Sequence, residues 1–144
     1  MNNYTVLVVD DDELILSEFE KELKRNFFPV LTAKTAKEAL TKISTKIDII
    51  LLDLILPDMN GFELLTKLKE IHPGCEIIVI TGHSTHEISI TALRRGAIDY
   101  ITKPIDLDIL GAAIGRAGEK KREKDSLKYI PIILVIDDDD TIVK

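Results

Sequence analysis

Five side chains in this sequence have the types and spacing to do chemistry together. Asp10 and Asp11 follow the apolar run at residues 4–9. Asp53 follows the run at 47–52, Thr81 the run at 76–80, and Lys103 the short strand-like stretch at 98–102. If the ends of those runs converge, three carboxylates, one hydroxyl and one ammonium share a site. Carboxylates that close cannot all stay ionised without a compensating cation. The set is all hard oxygen, with no His or Cys, and that describes a Mg²⁺ site which keeps waters and shares oxygens with a phosphate. Lys103 adds a second, monovalent cation and Thr81 a hydrogen-bond donor. Around one carboxylate, such groups would stabilise the equatorial oxygens of a transferring phosphoryl group. The carboxylate would then be the nucleophile and form an acyl phosphate.

Taken singly, each residue has an ordinary explanation. Asp10-Asp11-Asp12 reads as a solvated turn with a helix N-cap. Asp53 reads as one carboxylate at a strand end, Thr81 as a backbone-bonded hydroxyl and Lys103 as a surface lysine. Joint placement at four strand ends is what is diagnostic. His72, His83 and His86 do not complete a metal set and read as surface residues.

The elements that must position these groups are legible. Residues 4–9, 28–33, 47–52, 76–80 and 98–102 are rich in Val and Ile, and most are apolar without alternation, as in strands buried on both faces. Residues 13–26 put Leu16, Phe19 and Leu23 on one helical stripe. Thr35 and Glu38 form a capping box ahead of Ala36, Ala39, Leu40 and Ile43. Residues 61–71 offer Leu64, Leu65 and Leu68. Ser84 and Glu87 form a second capping box before Ile88 and Ala92. Asp106 caps a last helix with Leu107, Leu110 and Ile114 inward. Five βα units imply an α/β fold, a doubly wound parallel sheet with helices on both faces. Precedent favours the flavodoxin-like strand order 2-1-3-4-5 for five strands. Ligands then collect beyond the carboxyl ends of the strands, where the order switches between the first and third.

With those residues in place, the chain resembles the receiver domain of bacterial two-component response regulators over residues 4–116. The likeness rests on Val8-Val9-Asp10-Asp11, on Leu51-Leu52-Asp53-Leu54-Ile55-Leu56-Pro57-Asp58-Met59-Asn60-Gly61, on Ile80-Thr81-Gly82 and on Thr102-Lys103-Pro104. The second run is the most specific. The resemblance implies that Asp53 accepts a phosphoryl group from a histidine kinase or a histidine phosphotransfer protein. It implies that Asp10, Asp11, Asp53 and the Ile55 backbone carbonyl hold Mg²⁺, and that Thr81 and Lys103 bind phosphoryl oxygens. It implies a cis Lys103-Pro104 bond and a switch through Thr81 and Tyr100. The partner-facing surface would comprise the fourth helix, fifth strand and fifth helix, through which a homodimer is also expected. On this reading the chain is no enzyme beyond catalysing its own phosphorylation and slow dephosphorylation. Two positions depart from the commonest pattern. Gly82 stands where Ala is usual, keeping room for a phosphoryl group and loosening the loop. Ile55 and His83 lie where side chains govern how water reaches the acyl phosphate, and an apolar Ile55 cannot orient water.

Two other classes compete. A haloacid-dehalogenase-type phosphatase would use Asp10, Asp12, Thr81 and Lys103. It needs a further acidic pair, for which Asp106 and Asp108 are poorly placed, and it leaves Asp53, Pro57 and Gly61 unexplained. A phosphorylation-independent pseudo-receiver would usually lack part of the site.

Composition narrows the setting. The 144 residues are 45% hydrophobic and 31% charged, with a net charge of -6. That suits a buried core and argues against a broad footprint for nucleic acid or anionic membrane. One cysteine, Cys75, excludes an internal disulfide and fits a reducing cytoplasm. No signal peptide or membrane span is expected. Residues 1–122 form the expected receiver and 123–130 a charged helix extension and linker. The charge run at 119–124 reads as solvated, and Pro131 stops any helix. Residues 131–144 repeat the opening pattern: an apolar run, then Asp137-Asp138-Asp139-Asp140, with Asp137 standing where Asp10 does. They read as the first strand and acidic loop of an incomplete second receiver, so an output or second receiver domain is expected in the parent protein.

Overall fold

A computed structural model of the chain describes residues 4–44, 46–83 and 85–127. The elements are β1 (Val6–Val9), α1 (Glu13–Arg25), β2 (Val30–Ala33), α2 (Ala36–Lys42), β3 (Ile49–Asp53), α3 (Gly61–Ile71), β4 (Glu76–Thr81), α4 (His86–Arg94), β5 (Asp99–Thr102) and α5 (Leu107–Leu127). The five strands form one sheet in the order β2-β1-β3-β4-β5. Every pairing is parallel. This is the doubly wound fold expected from the βα alternation.

Period-two geometry explains why the central strands are apolar throughout. Leu7, Val9, Ile50, Leu52, Ile77 and Val79 point to one face and pack with Ala36 and Ala39 of α2, Leu64, Leu65 and Leu68 of α3, and Ala92 of α4. Val6, Val8, Ile49, Leu51, Ile78 and Ile80 point to the other and meet Leu16, Phe19 and Leu23 of α1 and Leu110, Ala113, Ile114 and Ala117 of α5. Both faces are covered, so no polar position survives inside β1. The edge strand β2 is only half-buried.

Four strands, β1, β2, β3 and β5, start one or two residues later than the sequence pattern, while β3 and β4 each run one residue further, to Asp53 and Thr81. Residues 47 and 48 precede the ladder, and the Asp48 and Ile49 amides instead donate to the Thr5 carbonyl. The α4 cap also differs. Thr85, not Ser84, is the N-cap, accepting from the Ile88 amide at 3.1 Å; Ser84 lies outside the described residues. Asp106 does accept from the Asp108 and Ile109 amides at 2.8 and 3.3 Å. Leu107, expected inward, is 53% exposed. It is the first residue of α5, and the inward stripe starts at Leu110.

Two further expectations fail for one reason, the need to satisfy charge and carbonyls at the amino edge of the sheet. His72 is buried, with Nε2 2.8 Å from the Ile47 carbonyl, so it ties the end of α3 to the approach to β3. The run at 119–124 is not wholly solvated. Lys121 is buried, 4.0 Å from Asp48 and 3.7 Å from Asp125. Lys124 pairs with Glu76, a buried carboxylate at the start of β4. Both lysines thus hold the long α5 down on the sheet. Residues 128–144, including the repeat of the opening pattern, lie outside the described residues.

Gly61, at the start of α3, shows how tightly the loop after β3 is packed. A Cβ there would lie 2.3 Å from the Leu54 carbonyl oxygen and 2.4 Å from its Cα. Both are backbone atoms, so the chain itself would have to move. Gly61→Ala is therefore expected to cost about 3 kcal/mol, the upper part of the usual overpacking range. The check is a lower urea midpoint at unchanged slope. Gly82→Ala is the control, because a Cβ there meets nothing within 4 Å; its change should stay within ~0.5 kcal/mol.

Candidate functional site

The carboxyl edge of the sheet collects these groups because four neighbouring strands, β1, β3, β4 and β5, end there. β1 runs into Asp10, whose amide donates to the Ala33 carbonyl at 3.0 Å. Its Oδ1 accepts from the Asp12 amide at 2.9 Å, which folds the acidic turn back on itself. Asp12 then caps α1, accepting from the Leu14 amide at 2.9 Å. The last residue of β3 is Asp53, whose Oδ1 accepts from the Ile55 amide at 3.0 Å. Just beyond β5 stands Lys103, its amide donating to the Thr81 carbonyl at 2.8 Å. The following Lys103-Pro104 peptide is cis.

These placements converge. The Lys103 ammonium donates to Asp10 Oδ2 and to Asp53 Oδ2, at 3.0 Å each. Asp10, Asp11 and Asp53 offer oxygens that all lie within 4.8 Å of one another. Among the described residues no other trio of His, Cys, Asp or Glu gathers ligand atoms this way. Asp10 and Asp53 are buried, and Asp11 is exposed and opens the cluster to solvent.

The electrostatics follow. Burial pushes the Asp10 carboxyl above its ordinary range, and the neighbouring Asp53 charge adds to this; the Asp12 amide and Lys103 pull the other way. For Lys103 burial is the largest single influence and acts downward. Its bonds to Asp53 and Asp10 together outweigh it, so the ammonium is held above its usual value. One ammonium among three carboxylates leaves the cluster short of positive charge. An oxygen-only donor set, two parts buried and one open, fits a Mg²⁺ ion that retains water.

The other expected residues sit near but are differently engaged. Thr81 is buried at the end of β4, yet its hydroxyl accepts from the His83 amide at 3.0 Å and donates to the His83 carbonyl at 3.2 Å. It is turned into its own loop. Tyr100 is exposed at the surface of β5. Ile55 is 60% exposed. Gly82 and His83 are exposed as well. Asp106, which the phosphatase reading would need as a ligand, is occupied in capping α5. Spacing did not single out Asp58, which caps α2 across the loop after β3. No local pattern marks it, since the contact joins the loop after β3 to the start of α2, far away in sequence.

Comparison with known proteins agrees with this geometry. Residues 6–115 match the family described as the response regulator receiver domain. The chain is 34% identical over 113 residues to a cyclic di-GMP phosphodiesterase of Thermotoga maritima, covering 78% of this chain and 30% of that protein. It is 33% identical over 126 residues to the DNA-binding transcriptional regulator NtrC of Klebsiella pneumoniae, covering 87% and 27%. The chain thus spans under a third of the length of these curated relatives. The beryllofluoride-activated NtrC4 receiver domain dimer, a solution structure, superposes with a TM-score of 0.77 at 35% identity, covering 81% of this chain and 98% of that one. A parallel sheet in the order β2-β1-β3-β4-β5, an acid cluster bridged by a lysine at its carboxyl edge, and a family match over most of its length make this chain a member of the response-regulator receiver domain family.

Proposed function

We propose that this chain is a Mg²⁺-dependent phosphoryl acceptor in a signalling relay, with Asp53 as the acceptor. The observation that carries the reading is the Asp53 carboxylate, buried at the end of β3 and bonded to Lys103 beside Asp10 and Asp11. Asp10, Asp11, Asp53 and the Ile55 carbonyl would hold the metal. When bound, Mg²⁺ offsets the charge of the carboxylates and of the incoming phosphoryl group. An Asp53 oxygen attacks the phosphorus of a phosphohistidine. The P–O bond forms as the P–N bond breaks, and the imidazole leaves with the electron pair and takes up a proton. Lys103 stays close enough to donate to a phosphoryl oxygen.

A groove of about 580 Å³ beside Lys103, part apolar and part charged, supports a docked donor, a histidine kinase or histidine phosphotransfer protein. Its apolar lining is Ile15 and Phe19 of α1 with Pro104, Ile105 and Leu107, and the charged Glu18, Lys21, Glu22 and Arg25 of α1 and Lys103 line it as well. Exposed Leu107 fits this role better than a core role.

Phosphorylation replaces one charge on Asp53 with roughly -1.5 to -2 and adds three strong acceptors. The Thr81 hydroxyl would leave His83 for a phosphoryl oxygen, and Tyr100 would turn into the space beside α4. Carrying such an equilibrium from mostly off to mostly on takes about 5.5 kcal/mol. Two or three charge-assisted bonds at ~1.5–3 kcal/mol each can supply it. The α4–β5–α5 face would then be what an output domain or a second copy reads. A related receiver forms a dimer in its activated state. The relatives carry different outputs, a phosphodiesterase and a DNA-binding regulator, so output would reside outside this domain. Residues 131–144 would open a second receiver in the parent protein, on the strength of their repeated pattern alone. No helix among the described residues is long and apolar enough to cross a membrane. We place the relay in the cytoplasm, where a reducing compartment suits the single Cys75.

Acetyl phosphate with Mg²⁺ should add one phosphoryl group to the wild-type chain by intact mass and none to Asp53→Asn, and chelating the metal should abolish the gain. A wild-type chain that stays unmodified would leave a phosphorylation-independent binding module instead. Beryllofluoride should shift the amide resonances of α4 and β5, Tyr100 included. Shifts confined to the loops beside Asp53 would exclude the switch. Ile55→Asn should speed loss of the phosphoryl group about fivefold, equivalent to ~1 kcal/mol of barrier. An unchanged decay rate would mean that the Ile55 side chain does not control water.

A further inference from the structure

The first N–H groups of a helix need partners from outside it. In α2 one is met locally, by Thr35 Oγ1 accepting from the Glu38 amide at 3.0 Å. The next two are met by a residue 22 and 21 positions away. Asp58 Oδ1 accepts from the Ala36 amide at 2.9 Å and Oδ2 from the Lys37 amide at 3.0 Å. These two donors hold the Asp58 carboxyl below its usual range. Both oxygens of one carboxylate are committed to the start of one helix.

Asp58 sits at the tip of the loop that leaves the phosphoacceptor. An antiparallel bridge between Ile55 and Asn60 closes that loop at its base. Asn60 caps α3, accepting from the Phe62 amide at 2.8 Å. The Ile55 amide donates to Asp53 at 3.0 Å. The loop is therefore pinned at Asp53, at its closing bridge and at its tip. The same start of α2 is tied to the other acidic loop, since Lys34 pairs with Glu13, the residue after Asp12. Lys34 also donates its amide to Glu38 at 2.7 Å. The entry to α2 thus joins both loops that carry the carboxylates.

We propose that Asp58 is a positioning residue for the metal site: by capping α2 it holds the β3–α3 loop, and the Ile55 backbone with it, in the place where the Ile55 carbonyl joins Asp10, Asp11 and Asp53 around Mg²⁺. The proposal rests on the site reading above. A mere helix cap would alter stability only. A positioning residue alters metal affinity in the folded chain, and by linkage the metal must in turn steady the cap.

The full chain is titrated with Mg²⁺ alone, by calorimetry and by amide hydrogen exchange, without a phosphodonor. Asp58→Ala should weaken Mg²⁺ binding about tenfold, the lower end of what groups that orient metal ligands are worth. Asp58→Asn loses the charge but keeps one acceptor oxygen for α2, and it should recover most of that affinity. Thr35→Ala removes a cap bond of the same helix without touching the loop, and it should bind Mg²⁺ as the wild type does. In the wild type, Mg²⁺ should slow exchange of the Ala36 and Lys37 amides, a measurement that needs no variant to fold. Wild-type affinity in Asp58→Ala, equal losses in Asp58→Ala and Asp58→Asn, or no protection of those amides would overturn the proposal while leaving the site reading intact. A wild-type chain that binds no Mg²⁺ would overturn both.

Discussion

Like charge gathered against an apolar sheet is the constraint on which the rest of this structure turns. Asp10 and Asp53 end two adjacent strands, each buried on both faces, so their carboxylates stand at the edge of a low-dielectric core. Such a pair persists only with a cation close by. Lys103 supplies it from β5, two strands away from β3, bonded to both. The neutralisation is partial, and that incompleteness makes the edge receptive to a divalent cation.

Much of the surrounding architecture holds that edge still. Asp12 spends its side chain on α1 and its amide on Asp10, so the acidic turn and the helix start are one unit. Asn60 and Asp58 do the same for α3 and α2. Gly61 lets α3 begin in direct contact with the Leu54 backbone, which keeps the loop after Asp53 short and closed. Helix caps are usually written as local stabilisers. Here they are also the frame of the site, since every loop that presents a carboxylate ends in one. The opposite edge is arranged differently. Its buried charges, Glu76 and Lys121, face lysine and carboxylate partners on or beneath α5 and bind that helix to the sheet.

Two of the expected residues stand apart from these ties. Thr81 satisfies its hydroxyl within its own loop, and Tyr100 stands exposed. Neither is committed to the acid cluster. Beside Thr81, Gly82 faces open space, where even an added Cβ would meet nothing within 4 Å.

The five βα units, the strand interiors, and the three acids and the lysine that gather at the carboxyl edge were legible in the sequence. They depend on local periodicity and on residue type, and both are written along the chain. The burial of His72 and of Lys121 was not, because it depends on what lies across the sheet: the Ile47 carbonyl and Asp48. Leu107 keeps its place in the helical pattern, but it lies at the first turn of α5, where no sheet remains to cover it. Asp58 looked like one acid in a motif, and only folding brought it onto α2. The sequence by itself determined which groups could meet and which chemistry they could do. Tertiary structure alone decided which of them touch, because hydrogen bonds between loops depend on register across the sheet and leave no periodic trace in the chain.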